Sequence, residues 1–327
     1  MVKKRADLNV WVVTEGMAGT ENQCLAVADA LKAEPRVIQI SLSQPWKSLT
    51  PALGGEIGAT FSPRLEPPWP DLLITSGRKA VAAARYIKRQ SKGETFCVHI
   101  QDPRGAHGIF DLIAVPSHDP ARGDNVIVTD AAPNRLSERT LKNAHTRFAE
   151  LGLRTGPRIA VLIGGASKAH RLPEPTMQRL INDLNALHAG HNATLMITAS
   201  RRTGEENLTL LREAFLNKPA ALLWTGSEDA EEGEENPYLG FLAHADYILV
   251  TSDSVSMLSD AAATGKPVYV YPLPGGGRRI DKFLEQLQEK GIARTFDGSL
   301  AQWRYEPLHE AERIAGEIRN RMGDAGE

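Results

Sequence analysis

The chain has 327 residues, of which 42 % are apolar and 24 % charged, an ordinary globular composition with enough length for two domains. Lys and Arg total 38 against 40 Asp and Glu, and this net charge of -2 gives no global reason to expect nucleic acid as a partner. Two cysteines, Cys24 and Cys97, exclude a disulfide scaffold and read as buried thiols of a reducing compartment, so the expected location is the cytoplasm.

Short apolar runs alternate with helical patterns from end to end, the signature of repeated βαβ units. The start reads as a first strand over 8–14 and not as a secretory signal, because Glu15 follows at once and no small-residue cleavage pattern appears. A helix is expected over 21–33, a strand over 36–40, and a stretch rich in Pro, Gly and Trp over 45–70 resists assignment beyond a short helix. Strands follow over 71–75, 95–100, 110–116 and 125–130, with a helix over 78–90. Continuous β-branched runs between helices fit interior strands of a parallel sheet. A helix over 137–151 leads into 152–157, the linker candidate. The alternation then restarts, with strands over 158–164, 194–199, 220–225, 246–251 and 268–272. Helices are expected near 174–188, 205–217, 254–264 and 279–289. A last helix, 308–321, has no strand partner and can pack across the first domain. The preferred organisation is an α/β fold of two Rossmann-like domains, 1–151 and 158–306, with 307–327 as a C-terminal helix; its rival is one large doubly wound sheet. The acidic segment 228–235 reads as an exposed mobile loop. No apolar run approaches the ~20 residues needed to span a bilayer, which leaves peripheral membrane contact open.

Ligands of open α/β sheets collect beyond the carboxyl ends of the strands, where loops meet helix N-termini. After the first strand, Gly16 and Gly19 permit a tight turn, and Thr20 or Asn22 can cap the next helix. The pattern is neither GxGxxG nor a P-loop. Ser76 and Arg78 follow another strand and can bind an anion or begin a helix. Gln101, Asp102 and Arg104 follow the next, and His118 with Asp119 the one after. Asp102 and His118 are the candidate bases of this half.

In the second half, Gly164 and Gly165 come directly after a strand, where backbone N–H groups can meet a phosphate, with Lys168 nearby. Ser200, Arg201, Arg202 and Thr203 leave the following strand, and two adjacent arginines suit a diphosphate. Ser252, Asp253, Ser254 and Ser256 bracket a helix start, and Asp260 lies on that helix where it can accept from ribose hydroxyls. Asp253 would repel a phosphate unless it is turned away or bridged by a cation. Metal chemistry has little support: HExxH, a Cys cluster and an EF-hand loop are all missing.

The segments 15-EGMAGTENQCLAVADAL-31, 101-QDPR-104, 163-IGGASK-168, 198-TASRRTG-204 and 251-TSDSVSMLSDAAATGKPVYVY-271 resemble the mitochondrial fission ELM1-like family, found in bacteria as well as plants. The carboxyl-terminal half also resembles the GT-B nucleotide-sugar glycosyltransferases. That resemblance implies two Rossmann-like domains facing a cleft, with an NDP-sugar donor, of UDP type, held mainly by the second. It places Gly164 and Gly165 at the donor-domain turn, Ser252 to Ser256 at the phosphate-facing helix start, and Asp260 near the ribose-binding acid. Here that acid is Asp instead of the Glu common in such enzymes, and Ser254-Val255 replaces a Gly-containing pattern. The implied function is sugar transfer from an NDP-sugar to an unknown acceptor. The alternatives are a nucleotide-sugar epimerase and a non-catalytic GT-B-like binding protein.

Overall fold

The computed structural model describes residues 8–226 and 235–323, so most of the acidic segment 228–235 lies outside the described residues. The chain forms two compact units, one of 1–135 with 309–327 and one of 136–308.

The first unit contains β1 (Val10–Thr14), α1 (Ala18–Ala30), β2 (Arg36–Gln39), β3 (Ser41–Leu42), α2 (Trp46–Leu49), β4 (Phe61–Ser62), β5 (Leu72–Ser76), α3 (Ala80–Gln90), β6 (Phe96–Ile100), β7 (Leu112–Pro116) and β8 (Val126–Thr129). Six strands make one parallel sheet in the order β2-β1-β5-β6-β7-β8, and β3 pairs with β4 antiparallel beside it. Strand alternation sends Trp11 and Val13 of β1 to the face covered by Ala83 and Ile87 of α3. Val10 and Val12 go to the other face, against Cys24 and Val27 of α1. Both faces are therefore apolar, as continuous hydrophobic runs require.

The second unit contains α4 (Glu138–Arg147), β9 (Arg158–Ile163), α5 (Glu174–His191), β10 (Thr194–Ala199), α6 (Glu205–Phe215), β11 (Ala221–Trp224), α7 (Tyr238–His244), β12 (Tyr247–Thr251), α8 (Val255–Ala262), β13 (Val268–Tyr271), α9 (Arg278–Glu289) and β14 (Ala293–Thr295). Its sheet is also parallel, in the order β11-β10-β9-β12-β13-β14. Ile159, Val161 and Ile163 of β9 pack with Leu180, Leu184 and Leu187 of α5 and with Phe215 of α6. Pro173 stands at the N-cap of α5 and Pro175 in its first turn, where a missing N–H costs nothing.

Two elements sit elsewhere than their sequence neighbours suggest. The helix expected over 137–151 closes the first domain in the sequence reading. In the structure it is α4 followed by a 3-10 turn, Ala149–Leu153, and both pack on α7 of the second unit. The cause is a close approach: a Cβ on Gly240 of α7 would lie 2.6 Å from the Phe148 ring. The last helix, α10 (Glu310–Arg321), belongs to the first unit, where Ile314 and Ile318 join the apolar face that contains Val12 and Val27.

Candidate functional site

In the second sheet the chain begins at β9, runs outward to β11 and then returns to β12 on the other side of β9. The gap beyond the carboxyl ends of β9 and β12 is thus its topological switch point, the usual ligand position in an open α/β sheet. Gly164 and Gly165 leave β9 there, and Ser252, Asp253 and Ser254 leave β12. The Asp253 side chain is fully buried. Its Oδ1 accepts from Thr251 Oγ1 at 2.7 Å, and its Oδ2 accepts from Gly165 N at 3.0 Å and lies 2.8 Å from Arg202 Nη2. Gly164 N donates to Thr251 Oγ1 at 2.8 Å. The glycine pair leaves room for this wiring. A Cβ on Gly164 would stand 2.3 Å from both Asp253 carboxylate oxygens, and one on Gly165 would stand 2.0 Å from the Arg202 carbonyl oxygen.

This corrects the expectation that the glycine turn offers its N–H groups to a phosphate, because both already have partners within the chain. Thr203 and Ser252 likewise serve the scaffold. Thr203 Oγ1 and Ser200 Oγ donate to the Gly164 carbonyl, and the Ser252 hydroxyl accepts from Leu273 N. Ser254 is the N-cap of α8, accepting from Met257 N at 3.4 Å. The groups turned to solvent at these strand ends are Lys168, Arg201, part of Arg202 and Ser256. Asp260 sits one to two turns into α8, and its Oδ2 accepts from Tyr238 Oη at 2.8 Å. Burial pushes the Asp260 carboxyl up to about 7, against the lowering effect of the Tyr238 hydroxyl. Tyr238 escaped the sequence reading because α7 is only seven residues long and follows the acidic run; a Tyr opening an apolar heptad was its one signal.

The first sheet repeats the topology, with its switch point between β1 and β5. Glu15 leaves β1 and accepts from Lys79 N at 2.8 Å, while its Oε2 lies 2.8 Å from Lys79 Nζ. Burial alone would raise the Glu15 pKa, but the hydrogen bonds and charge of Lys79 outweigh it and hold the carboxyl below its usual value. Gly16 has φ +78° and needs its freedom. Gly19, Thr20 and Asn22 instead lie inside α1, and the Thr20 hydroxyl donates back to Met17 O, so neither Thr20 nor Asn22 caps the helix. Ser76 Oγ donates to Ile100 O inside the sheet. The Arg78 guanidinium donates to the carbonyls of Lys47, Ser48 and Thr50, neutralising the end of α2 in place of an external anion.

Beyond β6, Gln101 has φ +81°, a conformation that non-glycine residues rarely adopt. Asp102 Oδ1 accepts from Arg104 N at 2.7 Å and lies 3.2 Å from His107 Nε2. Asp102 therefore has a histidine neighbour, and it is His107, a residue that sequence spacing did not single out for this role. His118 Nε2 lies 3.9 Å from Asp119 Oδ1, and both side chains are largely covered. Among the described residues no group of three or more His, Cys, Asp or Glu side chains could hold a metal ion, and no helix is long and apolar enough to cross a membrane.

Comparison with known proteins follows the same lines. An uncharacterized protein of Rickettsia prowazekii is 27 % identical over 94 % of this chain and 97 % of its own length. The mitochondrial fission protein ELM1 of Arabidopsis thaliana is 29 % identical over 79 % of this chain, and the match spans 65 % of the plant protein. Among solved structures, the UDP-GlcNAc 2-epimerase of Neisseria meningitidis, bound to UDP-GlcNAc, superposes with a TM-score of 0.56 at 12 % identity, covering 97 % of this chain and all of the epimerase. The spinosyn forosaminyltransferase SpnP reaches 0.50 at 14 % identity, with 98 % of this chain and 96 % of that one covered. The two parallel sheets are those of the GT-B fold shared by such glycosyltransferases and epimerases. With its model matched over residues 18–322, the chain belongs to the mitochondrial fission ELM1 family.

Proposed function

We propose that this chain binds a nucleoside-diphosphate sugar, of UDP type, at the carboxyl edge of its second sheet and transfers the sugar to an acceptor. The carrying observation is the β9/β12 switch point, where the half-exposed guanidinium of Arg202 stands beside the capped N-terminus of α8. Lys168 and Arg201 belong to the same strand-end loops and are exposed. Such cations and helix N–H groups can neutralise charge that develops on a leaving diphosphate. Asp260 is the ribose acceptor in this reading. In the first unit, Asp102 is the candidate base for the acceptor hydroxyl, and His107 its neighbour. The buried thiols Cys24 and Cys97 suit the reducing cytoplasm.

The whole-chain likeness to an epimerase bound to UDP-GlcNAc supports nucleotide-sugar binding and favours epimerisation as the second reading. A panel of nucleotide sugars, followed by calorimetry and by mass spectrometry and chromatography of products, tests both. Saturable binding, with the sugar transferred to an acceptor and nucleoside diphosphate released, is the expected result. An isomeric nucleotide sugar formed without acceptor would favour the epimerase. A folded protein that ignores the whole panel would overturn both.

A further inference from the structure

We propose that Asp253 is a positioning residue: it fills the anion nest of the glycine turn and fixes Arg202 so that the guanidinium reads the diphosphate of the ligand. The inference rests on the nucleotide-sugar reading above and names the group that selects a diphosphate.

A strand-end glycine pair can lend its N–H groups to an external anion. Here the anion is internal. Gly165 N donates to Asp253 Oδ2, and Gly164 N is held by Thr251 Oγ1, whose own proton goes to Asp253 Oδ1. The space that side chains at 164 and 165 would occupy is filled by the Asp253 carboxylate and the Arg202 carbonyl. A ligand phosphate therefore has no place in the nest and must bind one step outward.

Arg202 is what stands there. Its carbonyl accepts from Ala166 N at 3.0 Å, and its own N–H donates to Ser200 Oγ at 3.2 Å, so the backbone is locked. One guanidinium nitrogen is held by Asp253, whose side chain is 0 % exposed while that of Arg202 is 42 % exposed. A guanidinium is a rigid planar fork with five donors. Pinning one edge leaves another edge in solvent, and the carboxylate that pins it is one residue before the α8 cap, Ser254. The buried carboxylate would by itself repel a phosphate; Arg202 cancels that charge and still has donors to spare. Recognition by this residue is then directional hydrogen bonding. The excess positive charge comes from Lys168 and Arg201.

Calorimetric titration with UDP and with UMP at fixed ionic strength tests the assignment on the wild type, Arg202→Ala, Arg202→Lys, Asp253→Asn and the double variant Arg202→Ala/Asp253→Asn. The expected result is a loss of about 10- to 100-fold in UDP affinity for Arg202→Ala, with UMP affinity changed by about twofold at most. Asp253→Asn should lose UDP affinity similarly, and the double variant should bind no more weakly than Arg202→Ala alone, because Asp253 acts through Arg202. Arg202→Lys should resemble Arg202→Ala, since its single ammonium is taken by Asp253; this arm decides the matter if Asp253→Asn does not fold.

Equal losses for UDP and UMP, additive losses in the double variant, or wild-type UDP selectivity in Arg202→Lys would each overturn the assignment while leaving the nucleotide-sugar reading intact. A folded wild type that binds neither UDP nor any nucleotide sugar would overturn both.

Discussion

Asp260 carries a test that needs no ligand. Its ordinary value is 3.8, burial pushes it to about 7 in the folded protein, and the hydrogen bond from Tyr238 works in the opposite direction. Between those two values the folded chain keeps a proton that the unfolded chain has released. Stability therefore falls as pH rises from about 4 to about 7, and the full penalty is present above 7. Asp260→Asn keeps an acceptor for Tyr238 and removes the ionisation. Urea unfolding across pH 5 to 8 should show the variant gaining on the wild type as pH rises, by an amount on the order of 2 kcal/mol at pH 8. Parallel pH profiles of the two proteins would show that the carboxyl is not desolvated. On the proposed function, ribose hydroxyls are accepted best by the ionised form, so nucleotide affinity should climb through the same window. Function and stability pull in opposite directions at this residue, a pattern common to binding sites built on buried charge.

At the scale of elements, α4 is held to α7 by stacked imidazoles. The rings of His145 and His244 lie 4.1 Å apart at 21°, and His244 Nε2 lies 3.1 Å from the His145 carbonyl. Burial lowers the His244 pKa; its hydrogen bond to His145 works against this, and the charges of His145, Arg158 and Lys266 reinforce it. Since the packed helix resists a proton that the opened helix accepts, acidification below about 6.5, the ordinary histidine value, favours opening. Hydrogen exchange, corrected for intrinsic rates, should show the protection of α4 amides dropping by about threefold or more between pH 7.5 and 5.5. His244→Gln should remove that pH dependence. Unchanged protection in the wild type would mean that the ring takes up its proton without leaving the stack.

The same two helices mark what could be read from residues alone. Helix α5 and strands β9, β10 and β12 were legible because continuous Ile, Val and Leu runs alternate with a proline-started amphipathic segment. The partner of α4 was not, because Phe148 meets a glycine 92 positions later and no local period encodes that meeting. Nor were β3 and β4, because two-residue strands carry no periodicity. In the site, the glycine pair announced a close approach but not its partner. Asp253 was legible as a charge that needed compensation; its pairing with Arg202 is a contact between two strand ends.

The whole molecule is built from one unit that is continuous in sequence and one that is not, since 136–308 is inserted between the two parts of the first unit. The part contributed from the C-terminus packs into the first core. Ile314 and Ile318 are 0 % and 1 % exposed and close the face formed by Val10, Val12, Cys24 and Val27. Around them Glu310 Oε1 accepts from Asp130 N, Arg313 donates to the Val128 carbonyl, and Arg321 donates to the carbonyls of Asp111 and Asp124. Burying two isoleucines is worth roughly 3–6 kcal/mol, comparable with the whole stability of many domains. A fragment of 136–308 should therefore unfold in one cooperative urea transition, with its own helices and sheet complete. A fragment of 1–135 should lack a sharp transition until a peptide of 309–323 is added, and circular dichroism should then report recovered helix and cooperativity. The peptide with Ile314→Asp and Ile318→Asp should fail to rescue it. Cooperative unfolding of 1–135 without any peptide would place the closing layer of this core somewhere other than α10.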